Sequence, residues 1–94
     1  MEKWMHEMRA QSMAADLAEI AHLLSLDEYM SYADKISEAI GNYQALLNGD
    51  SRKIERMIST IEDESEYLED SEDEEEQELF SRVQEAISDL RTFL

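Results

Sequence analysis

The chain has no cysteine, no proline and only two glycines, and it places no lysine or arginine between residues 57 and 81. Without cysteine there is no disulfide framework and no thiol chemistry, which fits a reducing interior. Without proline nothing forces a helical pattern to stop, so the sequence leaves the border between its last two helical segments open. No apolar run approaches the length needed to cross a bilayer, and no basic stretch leads into a short apolar segment as in a secretory leader. We therefore expect a soluble, cytoplasmic protein. The deficit of positive charge is the most restrictive absence. A net charge of -16 repels DNA, RNA and acidic membranes, which leaves basic proteins as the natural partners.

What is present argues for a fold rather than a disordered acidic tail. Hydrophobic residues make up 43% of the chain, with one Trp, four Tyr and two Phe, and the apolar positions recur with helical spacing, whereas disordered acidic segments lack both. A chain of 94 residues makes one domain, 1–94, with room for a single modest core.

Residues 1–24 read as a first helix, with Ala10, Met13, Leu17, Ile20 and Leu24 on one stripe and Ala14 and Ala21 beside them. Trp4, Met5 and Met8 fall off that stripe, Met8 almost opposite Leu17. They form either a partner or subunit contact or an end that folds back over the bundle edge. Ser25-Leu26-Asp27-Glu28 has the form of a capping box, so the second helix is expected to begin there. Its stripe is Leu26, Tyr29/Met30, Ala33, Ile36, Ile40, Tyr43 and Leu47, and Asn48-Gly49 supplies the end. Gly41 lies mid-helix, where it signals a close helix approach or simple tolerance.

Asp50 or Ser51 can cap the third helix, whose stripe is Ile54, Met57/Ile58, Ile61 and Leu68, interrupted by Ser65. Arg52, Lys53 and Arg56 cluster at its start, where the helix dipole disfavours cations, so pairing with nearby acids is expected. Ser71-Glu72-Asp73-Glu74 again has capping-box form and opens a fourth helix with the stripe Leu79/Phe80, Val83, Ala86/Ile87, Leu90 and Phe93/Leu94. The fold class expected is all-α, an antiparallel bundle of about four helices. Two helical hairpins completed by a second copy are the alternative that so small a core allows.

No arrangement of residues marks an active site, and we expect no enzyme, no cofactor and no metal. Glu19-Ile-Ala-His22 matches the Glu-x-x-His pattern of di-iron bundles, but both residues fall opposite Leu17 and Ile20 and the pattern does not recur. His6 continues the core stripe and reads as a hydrogen-bonded edge histidine. A calcium loop counted from Asp70 would need Gly at Glu75 and a bidentate Glu at Ser81.

The charge arrangement is the strongest signal. Residues 62–78 hold twelve acids and no base. Glu62, Glu66, Glu69, Asp73 and Glu76 recur at four and three residues and, on a continuous helix, form one ridge flanked by Asp63 and Asp70. Like-charge neighbours cost a helix about 0.2–0.5 kcal/mol per pair, so stability does not ask for them. The charge equals that of roughly 27 Å of DNA duplex, close to the ~33 Å length of a 22-residue helix.

In charge, size and this ridge, the chain resembles the small acidic helical DNA mimics that phages and mobile elements use against restriction enzymes or CRISPR effectors. The resemblance extends over the whole chain as composition and includes no aligned motif. It implies a non-enzymatic inhibitor that occupies the basic channel of a nucleic-acid-binding protein or complex and does not itself bind nucleic acid. The partner-binding residues would be Glu62, Asp63, Glu66, Glu69, Asp70, Asp73 and Glu76. The competing expectation is an acidic adaptor or chaperone that shields a basic partner, with Trp4, Met5 and Met8 as an apolar anchor.

Overall fold

A computed structural model describes residues 3–94. Four helices account for most of them: α1 (Lys3–Leu23), α2 (Tyr32–Asn48), α3 (Ser51–Ser65) and α4 (Glu74–Arg91), with a short 3-10 helix, Glu66–Leu68, between the last two. No strand occurs among the described residues, and the fold is an all-α four-helix bundle. The expected start of the first helix at residue 1 lies outside the described residues. Among them no helix is long and apolar enough to cross a membrane.

The stripes of α1, α3 and α4 enter the core as their spacing requires. Ala10, Met13, Leu17, Ile20 and Leu24 meet Ile54, Ile58 and Ile61 from α3 and Val83, Ala86, Ile87 and Leu90 from α4, while Leu68 joins from the 3-10 helix. The helices form a ring in which each packs on its two neighbours, so that α1 and α3, and likewise α2 and α4, sit diagonally across the core. Polar contacts set the directions. His6 Nε2 donates to Leu47 O at 2.9 Å, fixing the start of α1 against the end of α2 and accounting for one free carbonyl of the last turn. Arg9 Nη2 donates to Thr92 Oγ1 at 2.8 Å, and its guanidinium lies 4.8 Å from the Phe93 ring centroid. Further along, Arg82 Nη2 reaches Asp16 at 2.9 Å and Glu19 at 2.7 Å. α1 and α4 are therefore antiparallel.

Two features of the second helix differ from expectation. Its start moves from Ser25 to Tyr32, with Ser31 as the cap accepting from Asp34 N. Ser25 instead closes α1: its φ is 61°, its N–H bonds to His22 O and that of Leu26 to Ala21 O, the paired bonds of a left-handed helix end. Gly49 closes α2 in the same way, with its N–H on Leu46 O and that of Asp50 on Ala45 O. The capping-box spelling lost because Leu24 and Leu26 both reach the apolar interior, and a sharp reversal at Ser25 brings them there.

The second difference is the face that α2 buries. Ala45 and Leu46 are its buried residues, and the predicted stripe contributes only half-buried Tyr43 and Leu47, with Leu26 from the preceding loop. Residues 31–38 are all exposed; Ile36 and Ile40 are 45% and 52% exposed, and Tyr29 is 95%. Only the second half of this helix rests on the bundle. Gly41 marks no close approach, since a Cβ there would meet nothing within 4 Å. Beside it a cleft of about 310 Å³ opens between α1, α2 and α3.

Candidate functional site

The acidic segment is not one helix. A continuous helix would stack Glu62 on Glu66, Glu69 on Asp73 and Asp73 on Glu76, each an unfavourable neighbour pair. The chain breaks instead at Ser65, which is 1% exposed and whose hydroxyl donates back to Ile61 O at 2.6 Å, a local bond that competes with helix continuation. The 3-10 turn then carries Leu68 into the core. The predicted ridge is therefore corrected: Glu62 ends on α3, Glu66 on the 3-10 helix, Glu69 in the following turn, and Asp73 and Glu76 at the start of α4.

The fourth helix is capped by Asp73, not by Ser71 as the box pattern predicted. Asp73 Oδ1 accepts from Glu75 N at 2.8 Å and Glu76 N at 3.4 Å. Ser71 supports this start by accepting from Asp73 N and donating to Glu76 Oε1 at 2.9 Å. Glu74, Glu75 and Glu76 then occupy the first turn, where the positive end of the helix dipole favours acids. A run that repels itself in mid-helix thus becomes tolerable at a helix start.

The break sorts the acids into two groups. Glu62, Glu66 and Glu69 gather around a depression floored by Phe80, with Gln84 and Ser65 beside them. Glu75, Glu76 and Glu78 line a second one with Leu23, Tyr67, Leu79 and the Arg82 that Asp16 and Glu19 hold, where Tyr67 is 61% exposed. Glu75, Glu78 and Tyr67 were not singled out from the sequence, because the continuous-helix reading placed them off the ridge. Of the twelve acids in residues 62–78, only Glu62 forms an ion pair among the described residues, with Arg91 at 3.1 Å. Asp63, Glu66, Glu69 and Asp70 are exposed and make no side-chain hydrogen bond or ion pair among the described residues. Asp73 and Glu76, by contrast, are held by local structure, and Glu76 is half-buried.

The other candidate positions resolve into structural contacts. Trp4, Met5 and Met8 are 58%, 43% and 57% exposed, as their position off the stripe predicts. Glu19 does not face empty solvent: its Oε1 accepts from Arg82 Nη1 at 2.9 Å while Asp16 takes Nη2, so this acid pair grips one arginine. Hydrogen bonding by Arg82, then its charge, holds the Glu19 carboxyl below the ordinary value of 4.5, and the two acids push Arg82 further up. His22 Nδ1 lies 3.3 Å from Asp27 Oδ2, which also receives Lys35 at 3.6 Å. Among the described residues no three His, Cys, Asp or Glu side chains gather as a metal site requires. Pairing of Arg52, Lys53 and Arg56 with acids does not occur among the described residues; Lys53 and Arg56 line the α1–α2–α3 cleft instead.

The chain matches no protein-family model, no curated protein and no solved structure.

Proposed function

We propose that this protein is a non-enzymatic, cytoplasmic acidic inhibitor that occupies the nucleic-acid-binding groove of a basic protein, as a phage or mobile-element inhibitor of a restriction or CRISPR system does. The observation that supports this reading is the state of the acids in residues 62–78: eleven of the twelve have no ion-pair partner among the described residues, and all but Glu76 are exposed. Carboxylates left uncompensated on a folded surface present a fixed array of negative charge at low entropic cost. A basic groove evolved for phosphates is their physical complement. The extents of the molecule, 42 × 30 × 21 Å, compare with a duplex segment of roughly 27 Å carrying the same charge.

The second reading, an acidic adaptor or chaperone for a basic partner, draws on the exposed Trp4 and Met8, which would supply an apolar anchor. One experiment separates the two. The immobilised protein captures partners from a host lysate under washes of graded salt, alongside the variant Asp63→Asn, Glu66→Gln, Glu69→Gln, Asp70→Asn. That variant removes four acids with no side-chain partner among the described residues and leaves the Asp73 cap intact. Under the inhibitor reading the captured protein is nucleic-acid-binding, is released by added duplex DNA or RNA, and is lost from the four-acid variant. Capture that survives excess nucleic acid and depends on Trp4→Ala with Met8→Ala would establish the adaptor instead.

A further inference from the structure

We infer that the cleft between α1, α2 and α3 is a binding site for a small amphipathic carboxylate, a compact apolar body carrying one acid group. The cleft measures about 310 Å³, the small end of the range for small-molecule sites, and it combines apolar walls with a few polar groups as such sites do. Leu17 and Ala21 from α1 and Ile61 from α3 give it an apolar floor, while Lys53 and Arg56 line it from the start of α3.

The sequence holds this space open. Along α2, at about 100° per residue, Glu38 and Asn42 fall on the same arc as Ala45 and Leu46, which are buried. Apolar residues at those positions would extend the core under the first half of the helix. The chain instead places there a carboxylate, an amide and, beside them, Gly41, where an added Cβ would meet nothing within 4 Å. No turn and no close helix approach calls for that glycine, which weakens the middle of a helix. A ligand seated against the backbone gives it a use.

A second unfavourable choice lines the same cleft. Lys53 stands in the first turn of α3, where the helix dipole disfavours a cation, and Arg56 stands one turn further on. In a chain of 24 acids and eight bases, neither side chain makes a hydrogen bond or ion pair among the described residues. Lys35, Arg82 and Arg91 by contrast each hold a carboxylate. Two cations left free of the chain's own acids, beside an apolar floor, are the complement of an anion with an apolar body. Its charge is single. Glu38 lines the α2 wall of the cleft, and a net charge of -16 opposes a dianion more than a monoanion, which disfavours phosphate monoesters and nucleotides. None of residues 62–78 lines the cleft, so the inference does not depend on what the acidic segment binds.

Calorimetric titration of the full chain with octanoate, naphthylacetate and indoleacetate tests it, with amide chemical-shift mapping to locate the contact. At least one probe should bind with a Kd below about 1 mM and shift the amides of Ala21, Gly41 and Asn42. The alcohol of the same body should bind about fivefold or more weakly, for want of the charged hydrogen bonds, and naphthyl phosphate more weakly than naphthylacetate. Lys53→Gln with Arg56→Gln should erase the preference for acid over alcohol with helicity unchanged. Gly41→Leu, which fills the opening, should weaken acid and alcohol alike. Failure of all three probes to bind below that Kd overturns the inference. So does binding that both variants leave intact, or shifts confined to the exposed Trp4 and Met8 end. An alcohol bound as tightly as its acid, or a phosphate bound more tightly than the carboxylate, overturns the assignment of the ligand.

Discussion

The two halves of α2 and the two halves of the acidic run handle the same difficulty in opposite ways. In α2 one regular helix continues past the bundle, so its second half buries Ala45 and Leu46 while its first half stays in solvent. In the acidic run the helix stops at Ser65 and restarts at Glu74, so that most of the charge is spread over a turn and a helix start. Apolar surplus is carried on continuous helix, whereas charge surplus is carried on broken helix. The difference follows from range: exposed apolar groups do not repel their neighbours, but carboxylates stacked one turn apart do.

The largest effect that sharpens this comparison lies within α2. Leu46→Ala should cost about 2–5 kcal/mol, as for a fully buried leucine, while Ile36→Ala should change the stability of the monomer by no more than about 0.5 kcal/mol. Urea denaturation at low protein concentration measures both. Equal losses would mean that the first half of α2 is packed after all.

Next come two backbone positions, the misassigned helix end at Ser25 and Gly41 in the middle of α2. Ser25→Gly should stabilise the chain by about 1 kcal/mol, because Ser25 sits at φ 61°, where glycine has no steric cost. As an N-cap, the role its capping-box spelling suggested, the same substitution would be slightly unfavourable. Gly41→Ala should gain a similar ~1 kcal/mol, since the added methyl meets nothing and helix propensity favours alanine. Thermal melts of the two single variants and the double should show nearly additive rises, the sites being independent.

The smallest effect concerns the α1–α4 seam. Glu19 has its pKa lowered in the folded protein, so its grip on Arg82 stabilises the fold above the ordinary glutamate value and is lost as pH falls through the lowered one. Arg82→Gln should therefore reduce the melting temperature slightly at pH 6–8, and the difference from wild type should narrow in acid as pH falls through the lowered Glu19 value. The size is small because these groups are solvent-exposed. A gap that widens in acid would show that Arg82 acts through something other than its two carboxylates.

The parts of the fold legible in the sequence were those where one physical term dominates. The stripes of α1, α3 and α4 were readable because burial at period 3.6 has no competitor there, and the edge role of His6 followed from its position on the stripe. Helix ends were less legible, since Ser25 and Ser71 spell capping boxes but Ser31 and Asp73 do the capping. The same short polar residues serve starts, stops and turns, and tertiary packing of Leu24 and Leu26 decides among them. The α2 stripe misled because its apolar pattern is genuine but faces outward. Proline-free sequence hid the break at Ser65, so the ridge looked continuous and Glu75, Glu78 and Tyr67 were passed over. The contact of Asp16 and Glu19 with Arg82 was not legible, because the arginine lies some sixty residues away in the chain.

The central claim is that the exposed acids on either side of the break that ends α3 engage a groove built for nucleic acid. The most direct measurement is the affinity of the captured partner for this protein as NaCl rises from about 50 to about 200 mM, for the wild type and for the variant Asp63→Asn, Glu66→Gln, Glu69→Gln, Asp70→Asn. The account predicts a fall of about tenfold or more for the wild type and a distinctly shallower slope for the variant, because fewer counterions are exchanged on binding. An affinity indifferent to salt, or identical slopes for the two proteins, would contradict it.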